Sequence, residues 1–217
     1  MERNLKLSRL IRRKQEEAEP TQAEGQAEAQ TVPQSPPQTP PQSIQLPNPE
    51  ALFEEDPALV EPQSIAPYVE IAPGVIMGWP TDADVQATLR QVPSRLSNDG
   101  PGVELDIRNC EQADWLTLEL MVPWDYVLSR RMIGIGMDVA CSPLTHVGLQ
   151  LRLPGPDGTE RDIESNISVL HPELQRLYTM ITLPLAFAAE PVDTQPRVIL
   201  WMTKEPKKLH FERLFLI

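Results

Sequence analysis

The sequence predicts an all-β protein: a jelly-roll-like antiparallel β-sandwich of about eight strands, preceded by a long disordered N-terminal tail. After residue 101, short segments alternate apolar and polar residues with a period of two, and Gly, Pro and Asp separate them. Before that point the chain is rich in proline, glutamine and acids, with eleven of its 24 prolines between Pro20 and Pro67. Such a segment buries too little apolar area to fold alone.

The tail divides into a basic tip at residues 1–14 and a disordered Pro/Gln/Glu-rich linker at residues 15–63. In the tip, Leu7, Leu10 and Ile11 fall on one side of a short amphipathic helix, which alone is marginal in water. One interpretation is a helix that forms on a partner or, weakly, on a membrane surface; the other is a solvated basic end. The candidate contact residues are Arg3, Lys6, Arg9, Arg12 and Arg13.

The folded body is predicted to cover residues 64–217. Residues 64–80 are apolar, but their three prolines exclude a regular helix and a central strand, so we expect an extended strap or an edge strand. Asp82–Gln91 fits one short helix, because Val85 and Leu89 are four apart and either Asp82 or Thr81 suits the N-cap. The predicted strands are 103–107, 116–122, 133–139, 147–153, 163–169, 177–183, 197–203 and 209–217.

Charge and cysteine content restrict the classes of partner. From residue 102 onward, 16 acids stand against 11 bases, which argues against a nucleic-acid footprint on the folded part. No secretory apolar core follows the charged N-terminus, and no run reaches the length of a membrane span. We therefore expect a cytoplasmic protein in which Cys110 and Cys141, its only cysteines, are reduced, buried thiols.

No motif predicts a catalytic centre, a metal site or a cofactor. The three histidines lie in different segments without ligand spacing. Cys141 and His146 are the nearest thiol–imidazole pair, but a small buried thiol is the expected role of the cysteine. Glu119 and Asp138 would form the acid pair of a glycosidase if their strands were neighbours. Acids on outward strand faces are common, however, so we expect no enzyme.

Glycines predict a shallow polar trough on one sheet face. If strands 116–122, 133–139 and 147–153 turn their apolar residues to the core, then Gly134, Gly136 and Gly148 lie among polar residues on the opposite face. A glycan suits such a trough, because its hydroxyls pair with polar side chains and aromatic rings at the rim supply platforms. The candidate ligand-binding residues are Glu119, Asp138, Gln150, Arg152, Trp124, Tyr126 and Trp201. The alternative is that the strap at 64–80 fills the trough.

The alternating segments from Trp115 to Ile217, ending in KKLHFERLFLI, resemble the jelly-roll sandwiches of galactose-binding-like and carbohydrate-binding modules. The run WLTLELMVPWDYVLSRRMIGIGMDV is similar to an uncharacterised family of bacterial cytoplasmic proteins with an arginine-rich N-terminus. These resemblances imply a fold. They place no calcium or sugar ligand on individual residues of this chain.

The function that this pattern favours is a non-catalytic interaction or adaptor module, which is tethered by a disordered N-terminal arm and binds a protein partner. The alternative is a carbohydrate-binding module associated with glycan or polysaccharide synthesis. A third hypothesis, an enzyme of glycan metabolism, depends on the acid pair named above. The strap discriminates between the first two: an open trough favours a ligand, whereas a covered one favours the adaptor.

Overall fold

The computed structural model describes residues 46–96, 100–185 and 187–217. The basic tip, with Arg3, Lys6, Arg9, Arg12 and Arg13, and the linker up to residue 45 lie outside the described residues. The strands of the described part are, in chain order, β1 (Gln63–Ile65), β2 (Val69–Ala72), β3 (Val75–Gly78), β4 (Gln86–Val92), β5 (Gly102–Arg108), β6 (Thr117–Met121), β7 (Met132–Ser142), β8 (Thr145–Pro154), β9 (Glu160–Glu164), β10 (Ser168–Leu170), β11 (Gln175–Thr182), β12 (Arg197–Met202) and β13 (Lys207–Leu216).

These strands form two sheets, as the predicted all-β sandwich requires. Sheet A has the order β1-β4-β5-β13-β7-β11. Sheet B has the order β10-β8-β12-β6-β3-β2. The strand β9 also pairs with β8, on the same edge as β10 but further along β8. All pairings are antiparallel. The prediction of an antiparallel β-sandwich is confirmed.

The core lies between the sheets because alternate residues of each strand turn to one side. In β7 of sheet A, Ile135 and Met137 are fully buried, and in β8 of sheet B, Leu149 and Leu151 are fully buried. They belong to one continuous cluster of apolar side chains that draws on both sheets. Each such side chain contributes roughly 1.5–3 kcal/mol by leaving water, which makes this cluster the main source of stability.

The helix expected at Asp82–Gln91 is wrong, since the segment contains β4. Gln86–Val92 pairs with β5 in antiparallel register. The four-residue spacing of Val85 and Leu89 fits a strand as well as a helix, because four is a multiple of the strand period of two. Ala87, between them, is also buried. The pairing with β5 therefore determined the secondary structure of this segment, because its local pattern fits both a helix and a strand.

Residues 64–80 form strands at the margins of the two sheets, with β1 and β2 at the edges and β3 between β2 and β6, and do not cross a sheet face. The segment supplies β1 at one edge of sheet A and then β2 and β3 at one edge of sheet B. Pro67, Pro73 and Pro80 all lie outside the three strands, where their missing N–H groups cost no ladder bond. The segment therefore joins the two sheets, and the covering of a face by the strap is excluded.

Residues 46–63, which the sequence placed in the linker, pack on the sandwich. Pro49–Phe53 and Pro57–Leu59 form two short 3-10 turns. Leu52 of the first turn is buried in the core cluster. Gln91 of β4 holds this segment by donating from Nε2 to the carbonyl oxygens of Leu52 (3.1 Å) and Glu54 (2.5 Å). Ordered packing thus extends N-terminal to the predicted boundary at residue 64.

The two cysteines are buried free thiols, as predicted. Burial raises the pKa of Cys141 to about 11 and also raises the pKa of Cys110. The Cys141 thiol donates to the Pro143 carbonyl oxygen at 3.3 Å, whereas His146 is exposed. In the described part of the chain, no helix is long and apolar enough to cross a membrane, and no cluster of three metal-binding side chains occurs.

Candidate functional site

The structure separates the seven predicted ligand-binding residues into three places. Glu119, Gln150, Arg152 and Trp201 lie on the outer face of sheet B, on strands β6, β8 and β12. Asp138 lies on the outer face of sheet A, on β7. The trough expected from strands 116–122, 133–139 and 147–153 does not form, because alternation identifies the residues that share a strand face but not the strands that share a sheet.

Trp124 and Tyr126, the remaining two, lie on a short helix, α1 (Trp124–Leu128), and both are buried. Trp124 Nε1 donates to the carbonyl oxygens of Val192 (2.9 Å) and Thr194 (3.0 Å). The Tyr126 hydroxyl donates to the Ile217 carbonyl oxygen at 2.7 Å. These rings anchor the helix and the connection after β11, so they form no exposed platform.

Asp138 has a structural partner on its own sheet. Its two carboxylate oxygens accept hydrogen bonds from Arg176 Nε (2.6 Å) and Nη2 (2.8 Å). This Arg176 hydrogen bond holds the pKa of Asp138 below its usual range. Asp138 and Glu119 face opposite sides of the sandwich and cannot flank one glycosidic bond. The acid pair considered for a glycosidase is therefore excluded.

The glycines of the predicted trough are covered by neighbouring side chains. A Cβ on Gly148 would lie 2.2 Å from Cε2 and Cζ2 of Trp201, and a Cβ on Gly136 would lie 2.4 Å from Cζ of Phe215. Each aromatic ring therefore rests on the backbone of the adjacent strand, where only glycine leaves room. The glycines thus create aromatic platforms on the sheets and leave no empty groove.

The candidate site is a line of residues across the outer face of sheet B, which we call the aromatic row. Its strand positions are in register: Gly148 pairs with Trp201, Trp201 with Thr117, and Thr117 with Gly78. Because adjacent strands lie about 4.8 Å apart, Trp201 and Gly78 are roughly 10 Å apart across the sheet. Trp201 is partly exposed on its outer side.

Two further aromatic rings complete the row beyond Gly78. A Cβ on Gly78 would lie 3.3 Å from Cε1 of Tyr68, which places the Tyr68 ring on the same outer face. Trp115 Nε1 donates to the Tyr68 hydroxyl at 3.0 Å. Tyr68 and Trp115 are 45% and 43% exposed, respectively. We define the aromatic row as Gly148, Trp201, Thr117, Gly78, Tyr68 and Trp115.

Tyr68 adopts an unusual backbone conformation. Its φ is +57°, in the left-handed region that residues with a side chain rarely occupy. The Tyr68 N–H donates to the Met77 carbonyl oxygen at 2.8 Å, and this bond at the start of β2 fixes the conformation. The backbone of Tyr68 is therefore strained, although burial of its ring does not compensate for the strain, since the ring is nearly half exposed. Strain of this kind is concentrated at functional positions.

A charged cluster borders the aromatic row on the same face. Arg197 Nη1 lies 3.0 Å from Glu119 Oε2, and its Nη2 lies 3.1 Å from Glu160 Oε1. Arg152 bonds Asp162 through Nε at 2.9 Å, and this hydrogen bond lowers the pKa of Asp162. Because these acids are paired with arginines at hydrogen-bond distance, the cluster offers fixed acceptors and donors to a ligand.

Thr117 connects the charged cluster to the aromatic row. Its hydroxyl donates to Glu119 Oε1 at 2.9 Å and lies 3.3 Å from the Gly78 carbonyl oxygen. Sequence reasoning included Glu119, Gln150, Arg152 and Trp201 among the candidates and placed Thr117 on the same polar face, but it omitted Tyr68 and Arg197. The sequence around Tyr68 shows only a Pro-Tyr pair within an apolar segment. Because such a segment also fits a buried strap, it did not identify Tyr68 as an exposed site residue.

Comparisons with known proteins bear on the fold alone. No protein-family model matches the sequence, and no curated protein matches it. Among solved structures, an exo-β-agarase is similar over 68% of this chain, with 9% identity and a TM-score of 0.43, but the match spans only 24% of the agarase.

Two matches cover nearly all of the similar module. A family 11 carbohydrate-binding module from Clostridium thermocellum, in complex with a β-1,3-1,4-mixed-linked tetrasaccharide, has 9% identity and a TM-score of 0.44 over 73% of this chain and 96% of its own. A C-terminal family 22 carbohydrate-binding module from the same organism has 12% identity and a TM-score of 0.43, with coverages of 72% and 95%. The expected resemblance to carbohydrate-binding modules is found, and at these values it concerns the fold only.

Proposed function

We propose that this domain is a non-catalytic glycan-binding module and that the aromatic row is its binding site. The observation that carries the proposal is the hydrogen-bonded Tyr68–Trp115 pair, both of whose rings are nearly half exposed. Tyr68 keeps this position despite its positive φ, and the pair lies on the same sheet face as Thr117 and the Trp201 ring. An adaptor role toward a protein partner stays a prediction, because no described contact tests it.

The ligand class follows from the chemistry of the row. An aromatic face packs well against the C–H face of a pyranose ring, because both surfaces are flat and apolar. The polar groups between the rings are fixed by their own hydrogen bonds, so they can receive sugar hydroxyls without large reorganisation. Flat, neutral, β-linked pyranose chains present such C–H faces repeatedly and are the expected ligands.

The test is a calorimetric titration of the full chain with cellohexaose and xylohexaose. We expect weak but saturable binding to at least one of them. Trp201→Ala should weaken that binding by about tenfold or more, since a central aromatic anchor commonly contributes over 1.4 kcal/mol. Tyr178→Ala is the matched control, because Tyr178 is an exposed aromatic residue on sheet A. It should bind like the parent protein.

Tyr68→Gly separates binding from folding. Glycine accepts the positive φ without strain, so the fold should persist while the ring is lost. Weakened binding in this variant supports the aromatic row. The proposal is overturned if neither hexasaccharide binds the parent protein, or if Tyr68→Gly and Trp201→Ala bind as tightly as the parent.

A further inference from the structure

A second candidate surface lies on the opposite side of the sandwich, on the outer face of sheet A. A groove of about 360 Å³ runs over β4, β5 and β13. We call it the basic groove; its lining residues are Pro62, Gln86, Thr88, Arg90, Glu104, Asp106, Arg108 and Lys208. Its volume falls within the range of small-ligand sites.

The accessible charge of the groove is mainly positive. The acid side chains lie low, with Glu104 13% and Asp106 17% exposed, whereas Arg108 is 67% exposed and Lys208 46% exposed. Arg90, on β4, is also well exposed. The three cations therefore form the rim and the two carboxylates the floor. This is a local exception in a chain whose net charge is −12.

The two floor carboxylates position the rim cations, but they do not occupy all the N–H donors of Arg90 and Arg108. Arg90 Nε donates to Glu104 Oε1 at 2.8 Å, and Arg108 donates to Asp106 through Nε (3.2 Å) and Nη2 (2.7 Å). Neither of these pairs uses Nη1. Lys208 Nζ lies 3.3 Å from Glu104 and 3.8 Å from Asp106, so its ammonium bridges the two acids.

Asp106, on the floor of the groove, has a lowered pKa. The hydrogen bond and then the charge of Arg108, followed by the charge of Lys208, keep the pKa of Asp106 below its ordinary value. The groove thus offers cationic donors, carboxylate acceptors and the neutral side chains of Gln86 and Thr88 within one small volume. A ligand that fills it must carry both negative charge and hydroxyl donors.

We propose that the basic groove binds a sugar acid, in which one carboxylate meets the rim cations and the ring hydroxyls donate to the floor carboxylates. A phosphate group is less suitable, because its higher negative charge would face the two floor carboxylates at short range. This site is separate from the aromatic row, so it does not depend on the function proposed for that row.

The experiment is a calorimetric titration of the full chain with trigalacturonic acid and, separately, with its fully methyl-esterified form. Esterification removes the negative charges and keeps the sugar skeleton. We expect the acid to bind at low salt, with affinity that falls as salt is added, and the ester to bind about tenfold more weakly or not at all. Lys208→Gln and Arg90→Gln should each weaken binding of the acid about tenfold.

One matched control makes the outcome decisive. Lys204→Gln removes an exposed lysine outside the groove and should bind the acid like the parent. The proposal is overturned if the ester binds as tightly as the acid, if Lys208→Gln changes nothing, or if inorganic phosphate displaces the acid at equal concentration.

Discussion

Replacing Gly148 with alanine tests whether the Trp201 ring rests on β8. The added Cβ would lie 2.2 Å from two ring carbons of Trp201 and 2.5 Å from Nε1. Since non-bonded carbons prefer a separation of about 3.5–4.0 Å, the indole must move by more than about 1 Å. It would then leave the backbone on which it lies, and the platform of the aromatic row would tilt.

The free-energy cost can be bracketed from this geometry. Forcing extra carbon into a packed contact costs about 1–3 kcal/mol. Alanine returns about 0.5–1 kcal/mol relative to glycine within a strand. We therefore expect Gly148→Ala to lower the free energy of unfolding by about 1 kcal/mol, within a range of about 0–2.5 kcal/mol. In a Trp201→Ala background there is no ring to displace, so the same substitution should become neutral or slightly stabilising.

The assay is a double-mutant cycle measured by urea denaturation, followed by far-ultraviolet circular dichroism so that loss of a tryptophan does not change the probe. The control is Gly136→Ala, which meets Phe215 on the other sheet and should cost the same with or without Trp201. If Gly148→Ala costs the same in both backgrounds, the ring does not lie on β8 and the aromatic row has no Trp201 platform.

Three further predictions concern buried polar groups. Glu119→Ala should destabilise the protein by about 2 kcal/mol in urea denaturation, because it leaves partly buried Arg197 without its nearest partner. Glu160→Ala, which removes the more exposed partner of the same arginine, should cost under about 0.5 kcal/mol, and an equal cost would contradict this difference. The lowered pKa of Asp138 stabilises the fold above about pH 4, and this stabilisation should disappear as the pH falls further. The free energy of unfolding of Asp138→Asn should therefore change less than that of the parent between roughly pH 5 and roughly pH 2. Cys141, whose pKa is raised to about 11, should react with a disulfide reagent at pH 8 (about one unit below an ordinary thiol pKa) only after unfolding, and rapid native labelling would contradict its burial.

The strands were predictable wherever one face of the chain is uniformly apolar. In β7, Ile133, Ile135, Met137 and Val139 recur at every second position and are all fully buried. That pattern has one structural solution, because a shift of one residue would expose every apolar side chain. The same reasoning failed for β4, where Gln86–Val92 offers fewer apolar residues and a spacing that a helix also satisfies.

The sheet to which each strand belongs could not be obtained from alternation. β7 follows β6 in the chain and precedes β8, yet it lies in sheet A while both of its neighbours lie in sheet B. Short connections permit a strand to pair with its chain neighbour or to cross the core, and the local sequence is the same in both cases. For this reason Asp138 was grouped with Glu119 although they face opposite sides.

The glycines show a different limit of sequence reasoning. A glycine on an outward strand face permits a close approach to the backbone, and at Gly148 the expected occupant was a ligand or the strap at 64–80. The approaching group is Trp201 of the adjacent strand, and it could be identified only once β8 and β12 were known to be neighbours in register. The glycine therefore identified where a close approach is possible, whereas the order of the strands determined that Trp201 is the group that makes it.

The place of β13 in sheet A has a consequence for how the chain folds. β13 pairs with β5 on one side and β7 on the other, although both precede it by a long stretch of sequence. These two strands must stay apart, with unpaired edges, until β13 inserts between them. A closure over such distances carries a large loop entropy, so we expect folding on the slow timescale of milliseconds to seconds that is typical of sandwiches. During that interval the edges of β5 and β7 are the parts of the chain most exposed to aggregation.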